Sequence, residues 1–286
     1  MEPREISLEA ANRSMDELRE LFDLAGTTVR LGGWALAAFR RALMALRGKL
    51  ADVEYATGVI EALREEITRN TERTMVLAWS IGERQAQAEL EAYGYSPVRA
   101  AARSVLIASA VAGVLAQLDA QIGRARAMIV TRRADDGRVL GDGTRVGILT
   151  PTPILLELSD ATVRTSVQAH QEIVVATSGR DRFRRQAVAT IDERTTDCCL
   201  RVHGQVRDWD EMFVLKPGVP RFADELLLPP FHWYCRTVQV LVPADAVDDP
   251  LTLRMRAAAQ AELDARERTK RRVEINPSFA FSGRAG

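Results

Sequence analysis

The sequence predicts an α+β chain, predominantly α. Three observations carry that expectation. Breakers are scarce over residues 1–130, where the only prolines are Pro3 and Pro97. Apolar residues there recur at helical spacing. Only residues 183–243 combine β-rich stretches with all three cysteines and two of the three histidines. The expected organisation is a helical region over 1–130, a linker or hairpin over 131–153, a small mixed module over 154–245, and a charged helix with a tail over 246–286.

Within the first region, Leu36, Phe39, Leu43 and Leu46 alternate with Arg40, Arg41 and Arg47 at helical spacing, so one face is built for burial. A second helix is expected from Val53 to Ile81, with Ile60, Leu63, Ile67, Met75 and Leu77 as core positions. Gly32-Gly33 and Gly94 mark turns. Ser96-Pro97 fits a helix start, serine as cap and proline at the first helical position, for a helix running to about Ile129. Its run from Val105 to Ala116 is about a dozen residues, whereas a bilayer span needs roughly 20, so a buried helix is expected and no membrane contact.

The linker is drawn from turn chemistry at Asp135-Asp136-Gly137 and Gly141-Asp142-Gly143, followed by Pro151 and Pro153 as helix stops. Ser159-Asp160 is expected to cap a helix over Ala161–Ala176, with Val163, Val167 and Ile173 on one side. Short strands are expected at Ala187–Ile191 and Thr237–Val242. A last helix is expected over Leu251–Val273, then a tail.

Charge narrows the function classes. Lys+Arg and Asp+Glu balance at 39 each, so net charge does not drive the molecule toward polyanions. Local exceptions are Arg180, Arg182, Arg184 and Arg185, and the segment from residue 251 onward with eight cations against four acids. These offer phosphate contacts to double-stranded DNA, or else a solvated or partner-binding face. Residues 1–24 carry seven acids against three arginines, the reverse of a secretory or transit leader. Three cysteines do not make a disulfide framework, and a reducing compartment is expected. No Walker loop, G-x-G-x-x-G after a strand or H-E-x-x-H is present, which removes support for nucleotide-driven chemistry and zincin-type proteolysis.

The dense chemistry reads Asp192-Glu193-Arg194-Thr195-Thr196-Asp197-Cys198-Cys199, then His203-Gly204, then Pro229-Pro230-Phe231-His232-Trp233-Tyr234-Cys235-Arg236-Thr237. His232 and Cys235 form one half of a zinc site, with Cys199 and either Cys198 or His203 as the other half. The same residues also fit buried thiols packing a small core, a disulfide between Cys199 and Cys235, or a Cys199 nucleophile with His232 as base. His170, alone on its helix, reads as a surface or internally satisfied histidine.

This arrangement resembles the phage Mu F-like minor head protein family, also called phage head morphogenesis proteins. In that family a strand leads into D-x-R-T-C-x-x-C, a glycine follows, and the domain closes with P-P-x-H-x-x-C-R-C. Val188 through Thr195 matches the opening, including Asp192, Arg194 and Thr195, Cys199 falls on the second cysteine and Gly204 on the glycine. Pro229 through Arg236 matches the closing motif, including Pro230 and Arg236. Arg164-Thr165 sits where the family has a preceding helix. Thr196 and Thr237 stand where the family has cysteines, leaving Cys198 as the obvious replacement thiol. The resemblance covers about residues 155–245. It implies a non-enzymatic structural role in the virion near the portal vertex, with the portal and capsid proteins as partners. It also implies a role in DNA packaging or ejection, and zinc as the only cofactor to consider.

Overall fold

The computed structural model describes residues 2–23, 50–134, 152–215, 224–232, 234–246 and 249–269. The expected helix with Leu36, Phe39, Leu43 and Leu46, the turns at Gly32-Gly33 and residues 135–151, and the tail beyond 269 lie outside these residues. Four long helices, a three-stranded antiparallel sheet and two further helices confirm the α+β, predominantly α class.

Helix α1 spans residues 3–23, α2 Leu50–Ala92, α3 Arg103–Ala134 and α4 Thr152–Ser178. Buried positions on α2 recur at Ile67, Thr71, Thr74, Ala78, Ile81 and Gln85, a stripe of alternating threes and fours whose later positions meet α1 and the sheet, while Met75 and Gly82 beside it meet Thr165 and Ser166 of α4. Met75 is buried, but Leu77 is 42% exposed, because it lies on the opposite side of the helix from Met75. Ile60 and Leu63 fall in α2, and their side chains lie outside the described residues. Gly94, at φ 81°, ends the helix, with the Tyr95 amide donating back to the Leu90 carbonyl.

Several boundaries differ from expectation. Ser96-Pro97 does not open a helix; the segment is irregular, the Val98 amide donates to Thr177 Oγ1 at the end of α4, and α3 begins only at Arg103. Pro151 and Pro153 do not bar α4. Its first residue is Thr152, so Pro153 sits in the first turn, where its missing N–H costs nothing. Ser159 and Asp160 are therefore interior to α4: the Ser159 hydroxyl accepts from the Tyr234 amide and Asp160 pairs with Arg164. Val163, Val167 and Ile173 are buried as expected.

Helix α3 is less covered than the expected buried helix. Val111, Val114 and Leu118 enter the core with Ile67, Leu155 and Leu158, while Val105 is 69% exposed. The stretch Arg103–Ala120 is long and apolar enough to cross a membrane by length and composition, with 17% of it buried. Its exposed side consists mainly of Ser104, Ala108, Ser109, Ala112 and Ala116.

Strand β1 is Phe183–Ala189, helix α5 Asp197–Val202, strand β2 Val206–Arg207, β3 Phe213–Val214, β4 Glu225–Leu226, β5 Thr237–Pro243 and helix α6 Pro250–Arg268. β1 is central, with β2 on one side and β5 on the other, and the β1–β5 register runs from Phe183↔Pro243 to Ala189↔Thr237. One face (Val188, Val238, Val240) packs on Ala11, Met15 and Leu18 of α1, Ala78 and Ile81 of α2 and Met255 of α6. The other (Ala187, Ala189) packs on Cys198, Cys199, Phe213, Phe231 and Cys235. Residues from the first helices, the sheet and the last helix thus meet in one core cluster. Fully burying an aliphatic side chain here contributes about 1.5–3 kcal/mol.

Two polar clamps tie helices to the sheet. Arg4 donates to Asp249 Oδ2 at 3.0 Å, the Leu241 carbonyl at 2.8 Å and Gln186 Oε1 at 2.5 Å, linking α1, both long strands and the start of α6. On the outer side of β5, Glu89 Oε2 accepts from the Leu241 amide at 2.7 Å, and Gln85 donates to the Gln239 carbonyl at 2.7 Å. Glu89 Oε1 also meets Gln85 Nε2 at 2.7 Å and His170 Nε2 at 3.2 Å, so His170 is a buried, internally partnered histidine.

Helix α2 approaches α4 most closely at Gly82, where an added Cβ would lie 1.9 Å from the Ser166 carbonyl oxygen. Backbone cannot yield as a flexible side chain does. Gly82→Ala should lower unfolding stability by at least about 2 kcal/mol. Gly123→Ala, on a helical position with nothing within 4 Å of the added methyl, should raise it by about 0.5–1 kcal/mol. Urea midpoints of the two variants read both signs, and a neutral Gly82→Ala would contradict the packing described.

Candidate metal centre

The site is assembled from two short segments that the β1–β5 ladder brings together. After β1, residues 190–196 form a turn: the Thr195 hydroxyl donates to the Thr190 carbonyl, and the Thr195 amide donates to the Asp192 carbonyl at 3.2 Å. The turn delivers the chain into α5, which carries Cys198 and Cys199 in its first turn. Before β5, the cis Pro229–Pro230 bond and the left-handed Tyr234 (φ 60°) set the loop that carries His232 and Cys235. Pro230 is buried there, and Trp233 lies outside the described residues.

A forked ion pair locks the segments to each other. Arg236 donates through Nη1 to Asp192 Oδ2 and through Nη2 to Asp192 Oδ1, both at 2.6 Å. The same Asp192 Oδ1 accepts the Arg194 amide at 2.8 Å. Chiefly through the Arg236 hydrogen bonds, the Asp192 carboxyl is held far below the usual carboxylate range, and Arg236 is pushed up in turn. Arg194 contributes that backbone amide, and its side chain is exposed.

At the centre, His232 Nε2 lies 2.9 Å from Cys199 Sγ and 2.8 Å from Thr196 Oγ1. Thr196 Oγ1 is 3.2 Å from Cys198 Sγ, and Cys199 Sγ is 3.7 Å from Cys235 Sγ. All three cysteines are free and buried, which removes the expectation of a Cys199–Cys235 disulfide from this structure. The ligand atoms of Cys198, Cys199 and His232 lie within 4.8 Å of one another. Burial pushes the Cys199 thiol well above its ordinary value. Its hydrogen bond to Cys198 brings that thiol down to about 6, with help from His232. Burial also raises Cys235, but bonding to Cys199 and the nearby imidazole outweigh it and leave Cys235 well below the ordinary range. Burial and the shared hydrogen bonds thus push Cys199 in the opposite direction from its two neighbours.

This donor set fits a soft divalent cation. Two zinc–thiolate bonds of about 2.3 Å at the tetrahedral angle place the sulfurs about 3.8 Å apart, and Cys199 and Cys235 stand at 3.7 Å. The 2.9 Å between Cys199 Sγ and His232 Nε2 is a hydrogen-bond distance, so ligation requires the imidazole to withdraw by a fraction of an ångström. Three donors, Cys198, Cys199 and His232, cluster together, and Cys235, beside Cys199 at 3.7 Å, would be the fourth that a closed structural site needs.

His203 does not join them. Its Nδ1 accepts the Ala189 amide at 3.0 Å, closing the end of β1. Gly204, at φ 81°, is where α6 crosses: a Cβ there would lie 2.9 Å from Arg256 Cγ, and Arg256 Nε donates to the Gly204 carbonyl at 2.9 Å.

The basic cluster before the module resolves into separate roles. Arg185 is buried, not a phosphate contact: it donates to the carbonyls of Asp208 (2.7 Å), Glu211 (2.6 Å) and Leu227, and stacks over Phe213. Burial lowers its pKa to about 10. Arg184 pairs with Asp208 at 2.7 Å, and Arg182 is exposed. Strand β1 therefore starts four residues before the expected Ala187, inside a run that reads as polar. A further residue, invisible to motif reading, is Arg266 of α6. It is 3% exposed and donates to the Thr195 carbonyl at 2.6 Å, Asp197 Oδ1 at 2.8 Å and the Asp192 carbonyl at 3.0 Å.

Burial depresses the His203 pKa from 6.5 to about 4. Between those values the unfolded chain binds the extra proton, so this contribution is complete above pH 6.5 and is lost as pH falls toward 4. The loss amounts to about 3 kcal/mol. His203→Asn keeps an acceptor for the Ala189 amide and should flatten that part of the stability profile; urea midpoints from pH 7.5 to 4.5 for both proteins measure it. Equal slopes would contradict the assignment.

The chain matches no protein-family model, no curated protein and no solved structure.

Proposed function

We infer that this chain is a minor head protein of a tailed phage or prophage. It acts by binding portal and capsid proteins at the portal vertex during head assembly, and zinc at the Cys/His centre serves as a structural staple. The observation that carries the reading is the convergence of the two motif segments. Residues separated by about 40 positions meet through the Asp192–Arg236 fork and the Cys199–His232–Cys235 contacts. The residues that resemble the Mu F-like motif are thus the ones that hold the module closed. Cys199, His232, Cys235 and Cys198 would hold the ion, and zinc would supply cross-linking there, replacing the missing volume of a larger core.

The hydrolase alternative finds less support. Cys199 lies 2.9 Å from His232, within reach of a base, but it is 2% exposed, and its burial favours the protonated thiol. A role with double-stranded DNA rests on Arg182, the partly screened Arg184 and C-terminal cations such as the exposed Arg268, since Arg185 and Arg266 are committed to the interior. Retardation over a salt series tests it, because phosphate contacts weaken steeply with salt.

Purified protein should carry about one zinc per chain by elemental analysis, and chelation should lower the melting temperature by about 10 °C or more. Cys199→Ala should abolish metal retention. Full thermal stability in metal-free protein would remove the staple. For the assembly role, portal protein co-expressed with the chain should co-purify with it. Deleting its gene from the phage should leave particles that lack infectivity. Normal titres after deletion would refute a role in heads.

A further inference from the structure

Helix α5 is only six residues long, too short to hold its shape by its own hydrogen bonds. Its first residues nevertheless place two of the candidate ligands, Cys198 and Cys199. The usual local device for fixing such a start is an N-cap side chain bonded to a backbone amide. Thr196 occupies the cap position with extended backbone, but makes no such bond. Its hydroxyl is turned inward, 2.8 Å from His232 Nε2 and 3.2 Å from Cys198 Sγ. The start of α5 is instead fixed from outside.

Arg266 supplies that fixation. Its Nη1 donates to the Thr195 carbonyl at 2.6 Å and to Asp197 Oδ1 at 2.8 Å, and its Nη2 to the Asp192 carbonyl at 3.0 Å. Its Nε meets Glu262 Oε1 at 2.8 Å one turn earlier on α6, which aims the fork. Both arms of the turn before Cys198 are therefore held by one planar cation. At the other end of α5, Arg256 Nε donates to the Gly204 carbonyl at 2.9 Å. The order of contacts, Arg256 on Gly204 and Arg266 on Thr195, makes α6 antiparallel to α5 and longer than it.

We propose that Arg266 is a positioning residue for the Cys198–Cys199–His232–Cys235 centre, and that docking of the last turns of α6 regulates metal retention there. The proposal rests on the zinc reading above. It differs from general support by α6, because it assigns the effect to one guanidinium near the end of the chain's last described helix. With the fork in place the thiols of Cys198 and Cys199 are held toward His232. When it is withdrawn the turn at residues 192–197 loses three carbonyl and carboxylate contacts together, and the two sulfurs are free to leave the ligand geometry.

The test is zinc release from the full-length metal-loaded protein into a chromogenic chelator at pH 7.5. Arg266→Ala should release zinc about 10- to 100-fold faster than wild type, the range typical of outer-sphere partners. Arg266→Lys keeps the charge without the fork and should fall between. Arg268→Ala removes an exposed cation from the same turn and should match wild type. Denaturant midpoints with and without zinc separate positioning from plain stability: Arg266→Lys should lose more stability relative to wild type in the loaded form than in the metal-free form. Release from Arg266→Ala and Arg266→Lys within twofold of wild type would overturn the latch while leaving the zinc reading intact. So would an equal loss of stability in metal-free and loaded forms. A wild-type protein that binds no zinc would overturn the zinc reading first and the latch with it.

Discussion

Burying Cys198, Cys199, Cys235 and His232 in contact with one another puts polarisable, titratable atoms where water does not solvate them, and the second half of the chain is arranged around that constraint. Several ionised thiols in one dry volume repel each other unless a cation neutralises them. Burial accordingly favours the protonated form of the Cys199 thiol. Every nearby element serves to keep those atoms in place. The β1–β5 ladder brings the segments side by side, the Asp192–Arg236 fork crosses between them, and Phe213, Phe231 and Leu215 close the volume around the sulfurs. The cluster is thereby tied to the sheet on one side and to α6 on the other.

The helices contribute a different kind of order. α4 packs on both α2 and α3, which also touch each other, and it comes close to the α2 backbone at Gly82. Because α1 and α2 also pack on Val188, Val238 and Val240, the sheet face opposite the thiols is roofed by helices from the first third of the chain. Arg4 of α1 joins both long strands and the start of α6 by hydrogen bonds. Displacing the first helix would expose apolar residues of both long strands, so the N-terminal segment and the Cys/His module are mechanically linked despite their distance in sequence.

Much of this was legible in the residues, for reasons that differ by element. The helical spacing at Ile67 and Met75 read correctly because both side chains enter one cluster with α3 and α4. The pairing of the Cys199 segment with the His232 segment was legible because cysteine and histidine are rare here and their order is specific. Arg185 misled, since a buried arginine looks like a surface one until the carbonyls that receive it are known. Ser96-Pro97 and Ser159-Asp160 carry good cap chemistry, but tertiary partners, Thr177 and Tyr234, use those positions otherwise. Arg266 had no signature at all, because its partners are mostly main-chain oxygens about 70 positions away.

The seal on β5 bears on how copies of the chain meet other proteins. A strand at the margin of a sheet normally presents unpaired amides and carbonyls that invite a further strand. Here Glu89 and Gln85 of α2 already occupy the Leu241 amide and the Gln239 carbonyl. Growth of the sheet by strand addition is blocked on that margin, and the opposite margin, β2, is two residues long. Among the described residues, both margins of this sheet are thus closed to a further strand, and a partner that met it there would have to displace side chains of α2 first.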